Sequence, residues 1–331
     1  MRYRAMIGVG GIGSGSFFRM NGNHTLGREE SRSGYFLEQQ DYCKLHIISH
    51  YVKELSGPGF EVIPVGRLGN DEVGRRLFEE MKSVGFDMSC TELLADSQTM
   101  FSFCFLYPDG SGGNLTAADS ACSKLNPDSI LKAEGSFKKY RGKGIALAAP
   151  EVSIDVRLKL LDLATEYRFF RAASFTSVEI PVVLEENVLQ KIDLLAINMD
   201  EASALTKYKS DETKPSANVA AVIRICSEKN PNIQISVTDG KNGSWCWDGR
   251  SMQHLPTLDV QVVSTAGAGD AHLAGLLTGL AEGFTLHEAH ETAVLIAGLS
   301  VTSPHTINKQ IKREHLKNFS DKKINRSTEK L

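Results

Sequence analysis

Short apolar runs alternate with longer amphipathic segments through most of this chain. Residues 5–9 (AMIGV), 60–69 (FEVIPVGRLG), 144–150 (GIALAAP), 192–200 (IDLLAINMD) and 233–240 (IQISVTDG) are compact and mostly apolar, the pattern of strands buried on both faces. Between them, residues 42–55 place Leu45, Ile48, Val52 and Leu55 at helical spacing before Gly57, Pro58 and Gly59. Residues 71–86, 156–165 and 218–229 also read as helices, residues 201–206 as a helix start, and 271–283 and 286–303 as two strongly apolar helices. This strand-then-helix rhythm predicts a parallel sheet covered on both faces. Two stretches break it. Residues 17–36 mix aromatic, Gly, Asn and charged positions in the manner of an exposed hairpin, and 99–115 run extended into a Pro-Asp-Gly turn. Far apart in sequence, they can still pair as one small β-layer.

The expected fold is therefore α/β: a three-layer α/β/α sandwich with a mostly parallel central sheet and a small separate β-layer. The core is expected from residues 1–16, 37–98 and 116–310, the small β-layer from 17–36 and 99–115, and a polar C-terminal tail from 311–331. With 331 residues, 41% of them apolar and 23% charged, the chain can bury a large core. A formal net charge of -3 gives no basic field for nucleic acid or an anionic membrane, so neither is expected as a partner and a small molecule is. The six cysteines are scattered with no C-x-x-C pair, which predicts reduced thiols and no structural metal. No segment approaches the roughly eighteen apolar residues of a membrane helix, and a cytoplasmic location is expected. His46, His50, His287 and His290 fall on predicted helices as surface or boundary residues, and Trp245 and Trp247 on a hairpin arm as packing residues.

Residues 262–280, VVSTAGAGDAHLAGLLTGL, concentrate the candidate chemistry. A β-branched run ends, the chain passes Gly267, Ala268 and Gly269, and an apolar helix starts directly after Asp270. The pattern predicts that the N–H groups of Ala268, Gly269 and Asp270 face outward at the positive end of a helix dipole, forming an anion cradle. Small residues let the backbone approach phosphate oxygens. Asp270 is placed to take the proton of a hydroxyl attacking a γ-phosphoryl group, a reaction that needs positioning, charge neutralisation and one such base. Taken alone, Asp270 would read as an N-cap after a glycine-rich turn.

Two further segments join it. SVTDGKNG (236–243) sets Thr238, Gly240 and Gly243 at a strand end and its turn, where a hydroxyl and bare backbone can hold nucleotide phosphates at the carboxyl edge of the sheet. In LLAINMDEASAL (194–205), Asn198 and Glu201 stand three apart where a strand meets a helix. Such a Glu is normally a capping residue, and the pair also suits a hydrated Mg²⁺ on the phosphates.

Together with VIPVGRLGNDEVGRRLFEEMKSVGFD (62–87), these segments make the chain resemble the ribokinase/PfkB family of carbohydrate kinases over nearly its whole length. The family's second signature, D-T-x-G-A-G-D, is matched by Ser264, Thr265, Ala266, Gly267, Ala268, Gly269 and Asp270. The resemblance implies a ribokinase-like sandwich with a β-lid over a sugar site. It implies Asp270 as base, Gly267, Ala268 and Gly269 as anion hole, Asn198 and Glu201 near Mg²⁺, and ATP at Thr238, Gly240 and Gly243. By the same resemblance His305 and Asn308 would lie near the adenine. The family's Gly-Gly-x-x-x-Asn signature is replaced here by Glu38, Gln39, Gln40 and Asp41, and the aspartate usual after the first strand is absent. Acceptor contacts are accordingly expected from Ser14, Ser16, Asn21 and Asp41. Ser264 stands where many relatives carry an aspartate that helps hold a monovalent cation, so that requirement is not carried over.

The implied activity is ATP-dependent phosphoryl transfer to a hydroxyl of a sugar or sugar-like alcohol. The altered sugar half keeps open a catalytically silent sugar- and nucleotide-binding protein. A third reading, an NAD-dependent enzyme, comes from Gly8, Gly10 and Gly13, which fit G-x-G-x-x-G, with Glu29 and Glu30 about twenty residues on. The glycines must close a strand and open a helix. Gly8 instead lies inside the predicted strand, and residues 14–27 lack helical periodicity. Apolar lid residues such as Phe17, Phe18, Phe101, Phe103 and Phe105 offer a surface for a homodimer.

Overall fold

A computed structural model of the chain describes residues 1–109, 112–208 and 214–316. Its central sheet is built from β1 (Ala5–Val9), β5 (Glu61–Gly69), β6 (Thr91–Leu94), β9 (Gly144–Ala148), β10 (Phe170–Ser174), β11 (Leu194–Asn198), β12 (Gln234–Thr238), β13 (Ser244–Trp247) and β14 (Met252–Leu255). These nine strands run in the order β14-β13-β12-β11-β10-β9-β1-β5-β6. Every pairing is parallel except β12 with β13 and β13 with β14. The strands are apolar on both sides because both sides are covered. Met6, Ile145 and Leu147 pack with α1 (Lys44–Ser56), α2 (Glu72–Val84), α8 (Ala268–Glu282) and α9 (Leu286–Ser300). Their neighbours Ile7, Ala146 and Ala148 point to the opposite face, among α3 (Glu134–Lys139), α4 (Ile154–Glu166), α5 (Ile180–Glu185), α6 (Met199–Thr206) and α7 (Pro215–Lys229).

The two interrupting stretches do meet, as expected, in a separate sheet. It contains β2 (Gly13–Met20), β3 (Gly34–Phe36), β7 (Met100–Leu106) and β8 (Gly112–Thr116) in the order β3-β2-β7-β8, with β4 (Asp41–Tyr42) paired to β2. β2 and β7 run parallel, from Gly13 opposite Met100 to Arg19 opposite Leu106. The lid thus begins at Gly13 rather than at residue 17. A Cβ at Gly13 would lie 2.4 Å from the Met100 carbonyl oxygen, so the glycine permits the close entry into the second sheet. No helix follows it, which removes the context a dinucleotide fingerprint requires.

Other expectations are corrected. His46, His50 and His290 are fully buried, not boundary residues. The outer side of α1 is covered by the segment after α9, where Lys309 approaches Glu80 at 2.6 Å and Lys312 approaches Glu54 at 2.8 Å. That segment also docks the start of the expected tail: Ile311 is buried and Arg313 pairs with Glu282 at 2.8 Å. The tail from 317 onward lies outside the described residues. All six cysteines are free thiols. Among the described residues, no helix is long and apolar enough to cross a membrane.

Candidate active site

Parallel strands deliver their carboxyl ends to one edge of the sheet. Asn198 closes β11 opposite Thr238, which closes β12. Beside them lies a cavity of about 740 Å³, within the size range of small-molecule sites. The sequence-derived residues Asn198, Glu201, Thr238, Gly240, Gly243, Gly267, Ala268, Gly269 and Asp270 all line it. One side is apolar, formed by Leu258, Val260, Val262, Val294, Ala297 and Val301.

At the mouth of α8, Gly267 is the N-cap with φ 78° and no side chain caps the helix. A Cβ at Gly267 would stand 2.6 Å from the Thr306 carbonyl oxygen, so the turn admits only glycine. The expected cradle loses one donor: Ala268 N–H donates to the Thr265 carbonyl at 3.2 Å. Among the described residues, no backbone carbonyl accepts from Gly269 N or Asp270 N, and these two amides remain at the positive helix end. Ser264, where relatives carry aspartate, accepts from Ala266 N at 3.3 Å and belongs to the turn itself.

Asp270 is only slightly exposed, and Lys44 Nζ stands 3.9 Å from its Oδ1. Burial pushes the Asp270 carboxyl above its usual range while the Lys44 ammonium draws it back. Lys44 is the first residue of α1, where a cation opposes the helix dipole. Carboxylates offset that cost, Asp270 foremost, and they hold the ammonium above its ordinary value. Lys44 N also donates to Glu151 Oε2 at 3.2 Å. Glu151 has φ 74°, the left-handed region that side chains rarely adopt, and burial pushes its carboxyl up to about 7. Sequence reasoning missed both residues. The available signal for Glu151 was an acid directly after β9, at the same carboxyl edge.

Asp41 lies at the lid root, buried, where Cys104 Sγ donates to its Oδ2 at 3.4 Å. Burial raises its carboxyl, and the Asp270 charge raises it further. Gly15 pairs with Asp41 and shares its side of the lid, so the alternation of β2 turns Ser14 and Ser16 to the other side. Asn21 is exposed and donates from Nδ2 to Ser33 Oγ at 2.9 Å. Of the four residues expected to contact the acceptor, Ser14, Ser16, Asn21 and Asp41, none is on the wall of this cavity. Nor are His305 and Asn308. His305 Nδ1 accepts from Gln40 N at 3.0 Å, and Asn308 Nδ2 donates to the Leu299 carbonyl at 3.0 Å, so both fasten the C-terminal segment. The expected metal pair is a capping box: Asn198 Oδ1 accepts from Glu201 N at 2.9 Å and Glu201 Oε2 from Asn198 N at 2.8 Å. Among the described residues, no three His, Cys, Asp or Glu side chains are grouped to hold a metal ion.

Residues 51–313, spanning most of the sheet, α8 and α9, match the profile of the pfkB family carbohydrate kinases. The chain belongs to that family. As a pfkB-family member it is a carbohydrate kinase, acting on a sugar. Ribokinase of Bacillus subtilis (strain 168) is 24% identical over 248 residues, covering 74% of this chain and 76% of that protein. Fructoselysine 6-kinase of Escherichia coli (strain K12) is 44% identical over 55 residues, 17% of this chain and 21% of that one. Among solved structures, ribokinase from Cryptococcus neoformans var. grubii serotype A in complex with ADP superimposes with a TM-score of 0.79 at 21% identity, covering 96% of this chain and 99% of that one. Adenosine kinase from Sinorhizobium meliloti gives 0.74 at 16% identity, covering 97% and 100%. The fold of this family member is thus ribokinase-like.

Proposed function

We propose that the protein transfers the γ-phosphoryl group of ATP to a hydroxyl of a sugar or sugar-like alcohol, with Asp270 as general base. The observation that carries this reading is the convergence of Asp270, Lys44 and the open amides of Gly269 and Asp270 at the mouth of one cavity. An uncapped helix end presented to a cavity suits phosphate oxygens, and the apolar side suits a purine ring. Bound ATP supplies the phosphoryl group. The N–H groups of Gly269 and Asp270 and the Lys44 ammonium stabilise charge developing on it. Asp270 takes the proton of the attacking hydroxyl, and burial raises its basicity for that purpose.

Glu151, which accepts from Lys44 N beside Asp270, and buried Asp41 at the root of the second sheet are the carboxylates offered as hydroxyl-binding groups on the acceptor side. The lid closes over them and excludes water. Mg²⁺ would arrive as the counter-ion of the nucleotide. Asn198 and Glu201 line the cavity and, with their capping box in place, would meet that ion through its water shell. Phe36, Phe101 and Leu115 are exposed on the lid and favour its pairing with a second copy, whereas Phe17 is buried and takes no part.

The test is ATP consumption by the purified protein across a panel of pentoses, hexoses, polyols and sugar-amine adducts. The reading expects turnover that depends on one acceptor class. Thermal stabilisation by a sugar with no ATP consumption in any arm would instead indicate a silent binding protein.

A further inference from the structure

From the nucleotide side of the cavity, whose wall includes Ser244 and His272, a buried chain of hydrogen bonds that phosphoryl transfer does not use runs back to His290 and Gln253. Ser244 Oγ lies 2.7 Å from His290 Nε2 and 3.0 Å from His272 Nε2, and His290 Nδ1 lies 2.9 Å from Gln253 Oε1. Ser244, His272 and His290 are all buried, and the two imidazoles meet edge to face with centroids 5.6 Å apart. Burial holds both rings neutral, with His272 pushed down to about 3 and His290 to about 4.

Neutral rings fix the order of protons. Gln253 Oε1 accepts from Nδ1–H of His290, which leaves Nε2 as an acceptor for the Ser244 hydroxyl. The Ser244 oxygen in turn accepts from Nε2–H of His272. One hydroxyl therefore serves two rings, donating to one and accepting from the other, and no apolar or purely accepting side chain can replace it.

Each member stands on a different wall of the cleft. Ser244 directly follows Gly243 of the turn after β12. His272 lies two residues beyond Asp270 in the first turns of α8. His290 is on α9, which supplies Val294 and Ala297 to the apolar side. Resting on the function proposed above, we infer that Ser244 is a positioning residue for the nucleotide, its hydroxyl holding the phosphate turn, the anion-binding helix and the base-side helix in register.

Calorimetric titration of ADP, which needs neither acceptor nor turnover, tests this alongside steady-state kinetics. Ser244→Ala should weaken ADP binding and raise the KM for ATP about tenfold, with the acceptor KM unchanged within twofold. Ser244→Thr, which keeps the hydroxyl, should restore ADP affinity to within about threefold of wild type. Should Ser244→Ala fail to fold, Gln253→Leu, on half-buried β14 and outside the cavity, should raise the same nucleotide constants several-fold. ADP affinity unchanged in Ser244→Ala, or nucleotide and acceptor constants rising together, would overturn the inference alone. A wild-type protein that binds no adenine nucleotide would overturn the proposed function and this inference with it.

Discussion

Alanine at position 267 would carry a methyl group to within 2.6 Å of the Thr306 carbonyl oxygen and 3.2 Å of Thr306 Cβ. It would also have to adopt φ 78°, which costs a non-glycine residue roughly 1–2 kcal/mol. The carbonyl belongs to backbone and cannot swing aside, so the turn or the C-terminal segment must move by roughly 0.8 Å or more to reach ordinary contact. Adding that strain gives a loss of about 2–4 kcal/mol, equivalent to about 3–6 °C in melting temperature for a chain of this length. The displaced turn carries the amides of Gly269 and Asp270, and misplacing donors of this kind lowers kcat by roughly 10²–10³. Gly269→Ala is the control. A Cβ there meets no heavy atom within 4 Å, so its melting temperature should match or slightly exceed that of the parent while the added methyl perturbs only the cavity. Differential scanning calorimetry with ATP-coupled kinetics on both variants decides the matter. Wild-type stability and turnover in Gly267→Ala would refute the close-packed turn as the basis of the anion site.

Other consequences follow from the charges. Lys44→Met removes the cation that draws the Asp270 carboxyl down, so the acid limb of the pH-rate profile should move to higher pH and kcat should fall by about 10–100-fold. His46, His50 and His272 are pushed down to about 3 and His290 to about 4, so unfolded chains take up protons below pH ~6.5 while folded ones do not. Stability present above that pH is lost as pH falls toward 4, at about 1.4 kcal/mol per pH unit for each ring. Acid melts of His50→Leu should lose stability less steeply by about that amount. Glu151 behaves in the opposite sense. Its carboxyl is raised to about 7, so the stability it contributes is full below the unfolded value near 4.5 and is lost as pH rises through 7. Glu151→Gln should therefore gain melting temperature relative to the parent at pH 8 but not at pH 5.

The parallel strands were legible because burial on both faces leaves continuous apolar runs bounded by turns, as in β1, β9 and β11. β10 escaped notice: FRAAS is short, and Arg171 interrupts it because its guanidinium reaches Asp193 at 2.6 Å, a contact no local pattern reveals. The buried histidines were misread because helical periodicity counts imidazole as polar, and nothing near His46 or His50 in sequence discloses that the chain's own C-terminal segment covers α1. At the site, Gly267 and Asp270 announce themselves through turn chemistry followed by an apolar helix. Lys44 and Glu151 reach Asp270 only through tertiary folding, so each looks locally like an ordinary helix start or strand end. The third amide of the cradle failed for a subtler reason, since the turn that exposes Gly269 and Asp270 closes on Ala268 N.

Transfer of labelled γ-phosphate from ATP to the acceptor found by the sugar panel, in a single turnover with Asp270→Asn, tests the central claim most directly. Loss of about 10²–10⁴ in the transfer rate, with ADP affinity within a few-fold of wild type because the amides remain, is the predicted result. An undiminished transfer rate in that variant would contradict it.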